Sequence, residues 1–197
     1  MGDFFERIVD LEVAAVDAGA SAERMVDWMV SRGWLLRETS GEAMYSLDVE
    51  EGYVAGPDWV EIAQHWGDDW TPAPVAVIVG RNAHYPGQGA VEPSTASCPQ
   101  CQATTVIIDY PQAWEADPVV WQPFSEAIDS WKGTGEGAVT CVTCTTASPV
   151  TSWQWGDGFV LGALAFDFWG WPPLTDEFVA EFTAELGHRT ARHTGKF

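Results

Sequence analysis

Apolar residues at Phe4, Ile8, Leu11 and Ala15 form an i, i+4, i+7, i+11 stripe. That pattern predicts an amphipathic helix over residues 3–18, with Gly19 as its stop. Ser21 is a good N-cap for a second helix, with Ala22, Met25, Val26, Met29 and Val30 on one face and Gly33 at its end. Trp34-Leu35-Leu36 then reads as a strand, Ser40-Gly41 as a turn, and Met44 to Val49 as its hairpin partner. Residues 50–74 are rich in Gly and Pro, with a short helical turn expected over Asp58 to Trp66. Val75 to Val79 is a continuous, mostly β-branched run, the mark of a buried strand.

Further on, Thr104 to Ile108 reads as a strand and Asp117-Pro118 as a turn. Pro123 fits the first position of a helix whose apolar face is Phe124, Ala127, Ile128 and Trp131. A short strand, Ala138 to Thr140, follows. Trp153-x-Trp155 and Phe166-x-Phe168 each place two rings on one face of a strand. Pro172-Pro173 ends the apolar run. Thr175 caps a last helix with Asp176 and Glu177 in its first turn and Phe178, Phe182 and Leu186 buried, and Gly187 stops it. Residues 188–197 have room for a final strand. Of the tryptophans, most read as core, with Trp171 the expected exposed member.

The fold class expected is α+β: a helical N-terminal part with a hairpin (1–70), then an α+β domain (71–197) with a small mixed sheet and a C-terminal helix. Helix, helix, hairpin resembles the winged-helix plan. The third helix is missing, however, and Glu23 and Asp27 sit where a DNA-reading helix needs Arg or Lys. Packing or protein docking is the expected use of that surface.

All four cysteines fall in two hooks, Cys98-Pro99-Gln100-Cys101 and Cys141-Val142-Thr143-Cys144, with 39 residues between them. Each hook offers two thiolates on one tight turn, and two hooks complete a tetrahedron, the spacing of a structural zinc site. A redox pair and a catalytic zinc are the competing readings. Two matched hooks argue against the first, and a shell closed by four thiolates against the second. The hooks resemble those of the zinc-ribbon superfamily, which implies a structural metal held by Cys98, Cys101, Cys141 and Cys144 within a ribbon at 97–145. Two departures stand out: Thr145 where ribbons often carry Gly, and a long intervening segment. Residues 162–174 resemble a stretch of uncharacterised bacterial zinc-ribbon proteins, a likeness that brings no activity with it.

Charge changes the picture most. Nine basic residues face 29 acidic ones, for a net −20. Only the last ten residues reverse sign, with Arg189, Arg192 and Lys196. Nucleic-acid binding needs cations to displace condensed counterions, so a nucleic-acid partner is not expected. A basic protein partner is, because opposite fields speed encounter; solubility is the plainer reading of the same charge. None of His65, His84, His188 and His193 sits in a metalloenzyme motif, and the Gly-rich loop 80–89 lacks phosphate-binding signatures. Asp68-Asp69 reads as a solvated pair. The start of the chain shows no signal-peptide pattern, no stretch of the sequence approaches roughly 18 uncharged apolar residues, and cysteines in a metal-type spacing fit a reducing compartment, so no membrane span and a cytoplasmic location are expected. Together these features point to a non-catalytic, acidic, zinc-containing protein that binds a basic partner as an inhibitor, immunity or adaptor protein. The alternatives are an enzyme with acids converging near His84 or Asp109, and a structural subunit of an assembly.

Overall fold

The computed structural model describes residues 4–44, 46, 48–65, 70–86 and 92–196. In chain order the elements begin with β1 (Phe4–Asp10), α1 (Ala18–Ser31), β2 (Leu35–Ser40), β3 (Gly52–Ala55) and β4 (Val75–His84). There follow β5 (Thr95–Ser97), β6 (Thr104–Val106), α2 (Pro118–Thr134), β7 (Ala138–Thr140), β8 (Ala147–Pro149) and β9 (Gln154–Trp155). The chain ends with β10 (Val160–Trp169), α3 (Asp176–Leu186) and β11 (Thr190–Lys196). Three helices and antiparallel strand pairs among the described residues make this an α+β protein, as expected. No helix among the described residues is long and apolar enough to cross a membrane.

The chain forms two compact units, residues 1–80 with 162–197, and residues 81–161. This partition differs from the expected 1–70 and 71–197. The chain leaves the first unit along β4 and returns to it along β10.

In the first unit the six-stranded sheet runs β11-β1-β10-β4-β3-β2. The expected helix at 3–18 is not there: residues 4–10 are β1, antiparallel to both β10 and β11. A strand paired on both sides and buried on both faces shows no clean alternation, so its apolar positions fit a helical template by coincidence. Ile8 faces α1 and α3 alongside Leu164, Phe166 and Phe168, while Phe5, Arg7 and Val9 take the other face. With one helix ahead of the hairpin, the winged-helix plan fails.

α1 starts at Ala18, a turn before the expected Ser21 cap, and Gly19 lies within its first turn. The stripe itself holds: Ala22, Met25, Val26 and Met29 are buried, and Val30 is partly so. Gly33, at φ 74°, then turns the chain toward β2. The partner of β2 is β3, with Leu35 opposite Ala55 and Ser40 opposite Gly52; of the strand expected at 44–49, Tyr45 and Leu47 lie outside the described residues and the rest form no strand. A strand partner at 52–55 requires Gly52, because a Cβ there would sit 2.6 Å from the Val75 carbonyl oxygen on β4. The expected turn at Asp58 to Trp66 shortens to a 3-10 turn at Trp59–Glu61. Trp66, the Asp68-Asp69 pair and residues 87–89 of the Gly-rich loop lie outside the described residues.

α3 follows expectation: the Thr175 hydroxyl accepts from the Phe178 N–H at 3.2 Å, and Phe178, Phe182 and Leu186 are buried. Trp171, expected outside, is fully buried, and its indole N–H donates to the Ala73 carbonyl at 2.8 Å. A tryptophan enters a core readily when its one polar atom finds a partner there.

Candidate metal centre

Each cysteine hook sits at the tip of a two-stranded hairpin. The first joins β5 to β6, with Ser97 opposite Thr104, and the second joins β7 to β8, with Thr140 opposite Ala147. The two tips are built alike. Cys98 N–H donates to Ala103 C=O and Cys141 N–H to Thr146 C=O, both at 3.0 Å. In return Gln102 N–H reaches Cys98 C=O at 3.0 Å, and Thr145 N–H reaches Cys141 C=O at 2.9 Å. The residue after each second cysteine is left-handed, at φ 60° for Gln102 and 58° for Thr145. Thr145, where a ribbon often has Gly, thus departs from the ribbon pattern in side chain and keeps the backbone conformation Gly would favour.

That conformation costs a β-branched residue about 1–2 kcal/mol, against about 0.5–1 kcal/mol of extra chain entropy for Gly. Thr145→Gly is therefore expected to stabilise the second unit by up to about 1 kcal/mol. Calorimetry checks this: a lower transition temperature would mean that the Thr145 hydroxyl bond to Cys144 C=O (2.7 Å) outweighs the backbone strain.

The tips converge so that all four Sγ atoms lie within 4.8 Å of one another. Across the hooks, Cys98 to Cys144 is 3.9 Å and Cys101 to Cys141 is 3.7 Å. A tetrahedron with metal–sulfur bonds of about 2.3 Å has edges of about 3.8 Å, so the sulfurs already outline one ion's shell. Cys98 and Cys141 are buried, Cys144 is half-buried and Cys101 is exposed, so each hook turns one sulfur inward and one outward.

Backbone donors tune these sulfurs. N–H groups of Cys144 and Thr143 lower Cys141 to about 6. The N–H and hydroxyl of Thr146 lower Cys144. For Cys101 the Ala103 N–H pulls down, but burial together with the three neighbouring cysteines raises it to about 11. A metal drawn into this shell must release the protons still held, so its affinity falls with pH.

The core beneath explains how two distant hooks meet. α2 packs Phe124, Ala127, Ile128 and Trp131, the expected stripe, against Ile107, Ile108, Val139, Val150, Trp153 and Phe159, with Cys98 and Cys141 in the same cluster. Trp153 and Trp155 share a face, with ring centroids 4.9 and 5.5 Å from Phe124. The helix starts earlier than expected. Asp117 caps it by accepting from Val119 and Val120 N–H, Pro118 takes the first turn, and Pro123 lies inside. Gly137 lets the chain enter β7 directly over the helix, where a Cβ would meet the Ala127 carbonyl at 1.9 Å.

Comparison with family models, curated proteins and solved structures finds no match to this chain. What can be stated plainly is a cysteine cluster compatible with a metal ion.

The histidines stay apart from it. His65 is exposed and His84 is buried at the end of β4. His188 Nδ1 meets Asp10 at 2.8 Å, whereas His193 stands opposite Arg7, on the other face of β1. The two therefore share no surface. Asp109 is exposed. Sequence reasoning missed the loop 109–117, which carries the half-exposed Tyr110 and Trp114, 77% exposed. Its signal was an aromatic pair in a Pro- and acid-bounded stretch with no period to bury it.

Proposed function

We propose that this protein is a non-catalytic binding module, stapled by a structural zinc ion, that docks on a basic surface of another protein in an inhibitor, immunity or adaptor role. Zinc fits a tetrahedral all-thiolate shell, which selects zinc or a single iron and leaves no open position for substrate.

The observation that carries the docking reading is where the positive charge goes. Each arginine of the first unit is paired within that unit: Arg7 with Asp167, Arg24 with Glu185, Arg32 with Glu181, and Arg37 with Glu23 and Asp27. Arg189 meets Glu12, and Arg192 meets Glu6 and Asp176. Two of the three cations of the basic tail are thereby paired within the unit, and the chain as a whole keeps its net −20. A field of that size steers cationic partners and repels anionic ones.

The test is to isolate the partner from native cells, identify it by mass spectrometry, and measure its affinity between about 0.05 and 0.5 M salt, a range that shortens the screening length severalfold. The expected partner has an excess of Lys and Arg and loses at least about tenfold in affinity. A partner without a basic face, or a salt-independent affinity, contradicts the proposal.

A further inference from the structure

The second unit carries an aromatic groove with a distinctive rim. Tyr110 and Trp114 stand edge-to-face, with ring centroids 5.2 Å apart at 65°. The loop that holds them is fixed at both ends, by Ala113 N–H to Asp109 C=O and Asp117 N–H to Ile107 C=O, each at 2.9 Å. Beside the rings lies a groove of about 490 Å³ bordered by Glu92, Glu115 and Trp121. Two further hollows share its lining residues, one at Glu115, with Asp109 and Asp117, the other at Glu92 and Tyr110, with Asp157.

Five carboxylates thus border the described groove, and none of its described lining residues is Lys, Arg or His. Two are committed locally: Asp117 caps α2, and Asp157 accepts from Ser94 N–H. The carboxylates of Glu92, Asp109 and Glu115 have no hydrogen bond or ion pair among the described residues. Val106, which lines the first of these hollows, adds exposed apolar surface, at 51%.

We propose that this groove holds a basic, partly apolar peptide segment of the partner, with an arginine or lysine side chain laid against Tyr110 and Trp114 and its charge met by Glu92 and Glu115. The inference rests on the basic-partner reading and adds where and by what chemistry the contact is made. An exposed indole is the strongest aromatic acceptor for a cation, and adjacent carboxylates favour the same ligand. Apolar side chains next to the cation have Val106 to cover. The groove is open, which suits a chain segment better than a small molecule that needs enclosure. A second copy of this chain fits poorly, because its basic tail has Arg189 held by Glu12 and Arg192 held by Glu6 and Asp176.

The test uses the full-length, metal-loaded protein and a short capped peptide of arginine and leucine, with its citrulline counterpart as the uncharged isostere. Binding is measured by calorimetry and mapped by amide and indole N–H shifts. The expected result is shifts confined to residues 106–121 and their groove neighbours. Trp114→Ala and Glu115→Gln should each weaken binding roughly 5- to 30-fold. The citrulline peptide should not bind, and Glu38→Gln on the other unit should change nothing. Because Trp114 is exposed, its variant is expected to keep its metal and its circular dichroism.

Peptide binding that maps to another acidic face, or that survives Trp114→Ala, overturns this inference and leaves the basic-partner reading standing. Citrulline peptide bound as well as arginine peptide overturns both. Absence of any peptide binding overturns the groove assignment, as does concentration-dependent self-association that Trp114→Ala abolishes.

Discussion

Stripping the metal with a chelator under reducing conditions is expected to unfold much of residues 81–161 while β1, α1 and α3 keep slow hydrogen exchange. A structural tetrathiolate zinc is worth about 10–16 kcal/mol in small zinc-binding peptides, comparable with the whole stability of a domain, about 5–15 kcal/mol. In this chain a bound ion would tie two short hairpins from opposite ends of a long segment. Without it, four sulfurs within 4.8 Å would have nothing to hold them together. Cys101→Ser should act like the chelator, and it is the cleanest substitution because that sulfur is exposed and contributes little packing. Val142→Ser, at an 86% exposed position in the other hook, is the control and should change nothing. Acid should act the same way, since protons compete for the sulfurs, so the metal's contribution is present at high pH and lost as pH falls. Hydrogen exchange with mass spectrometry reads this directly. Equal protection of α2 with and without chelator would show that the aromatic core alone holds the unit.

Breaking the buried ion pair of the first unit should have the next largest effect. Arg7 binds Asp167 through both guanidinium contacts, each at 2.5 Å, with Asp167 fully buried. Trp169 Nε1–H adds a third donor at 3.3 Å. His193 stands opposite Arg7, and Asp48 adds a repulsive field at Asp167. Burial raises the Asp167 carboxyl above its ordinary value, with Arg7 and Trp169 pulling the other way. Arg7→Ala leaves a buried charge unpaired and is expected to cost about 3–5 kcal/mol, whereas Arg7→Met with Asp167→Leu should be near neutral. In the single variant Asp167 holds its proton more tightly in the folded state than in the unfolded one. Stability should then fall as pH rises through the window above the unfolded value, and acidification should restore part of the loss. Denaturant melts across pH check this; a flat profile would mean that water or a neighbour solvates the carboxylate.

What the sequence made legible follows from how local each signal is. The four cysteines were readable because hook geometry lies within four residues. α3 was readable because its cap, its acidic first turn and its stripe all agree. α2 is half readable: its stripe is where the spacing puts it, but Asp117-Pro118, which reads locally as a turn, is the cap and first position, and Pro123, which fits that place equally well, lies inside the helix. β1 was misread because both its faces are buried and both its edges paired, which only the distant β10 and β11 reveal. The same holds for Trp171, whose burial depends on a carbonyl 98 residues away. Trp114 was overlooked for the converse reason, since exposure is a statement about what fails to pack there.

The most direct test of the account is metal content and free thiols measured on one reduced sample of the full chain. About one zinc per chain is expected, with the cysteines slow to react until chelator is added. Four freely reactive thiols with less than about half an equivalent of any metal would contradict it.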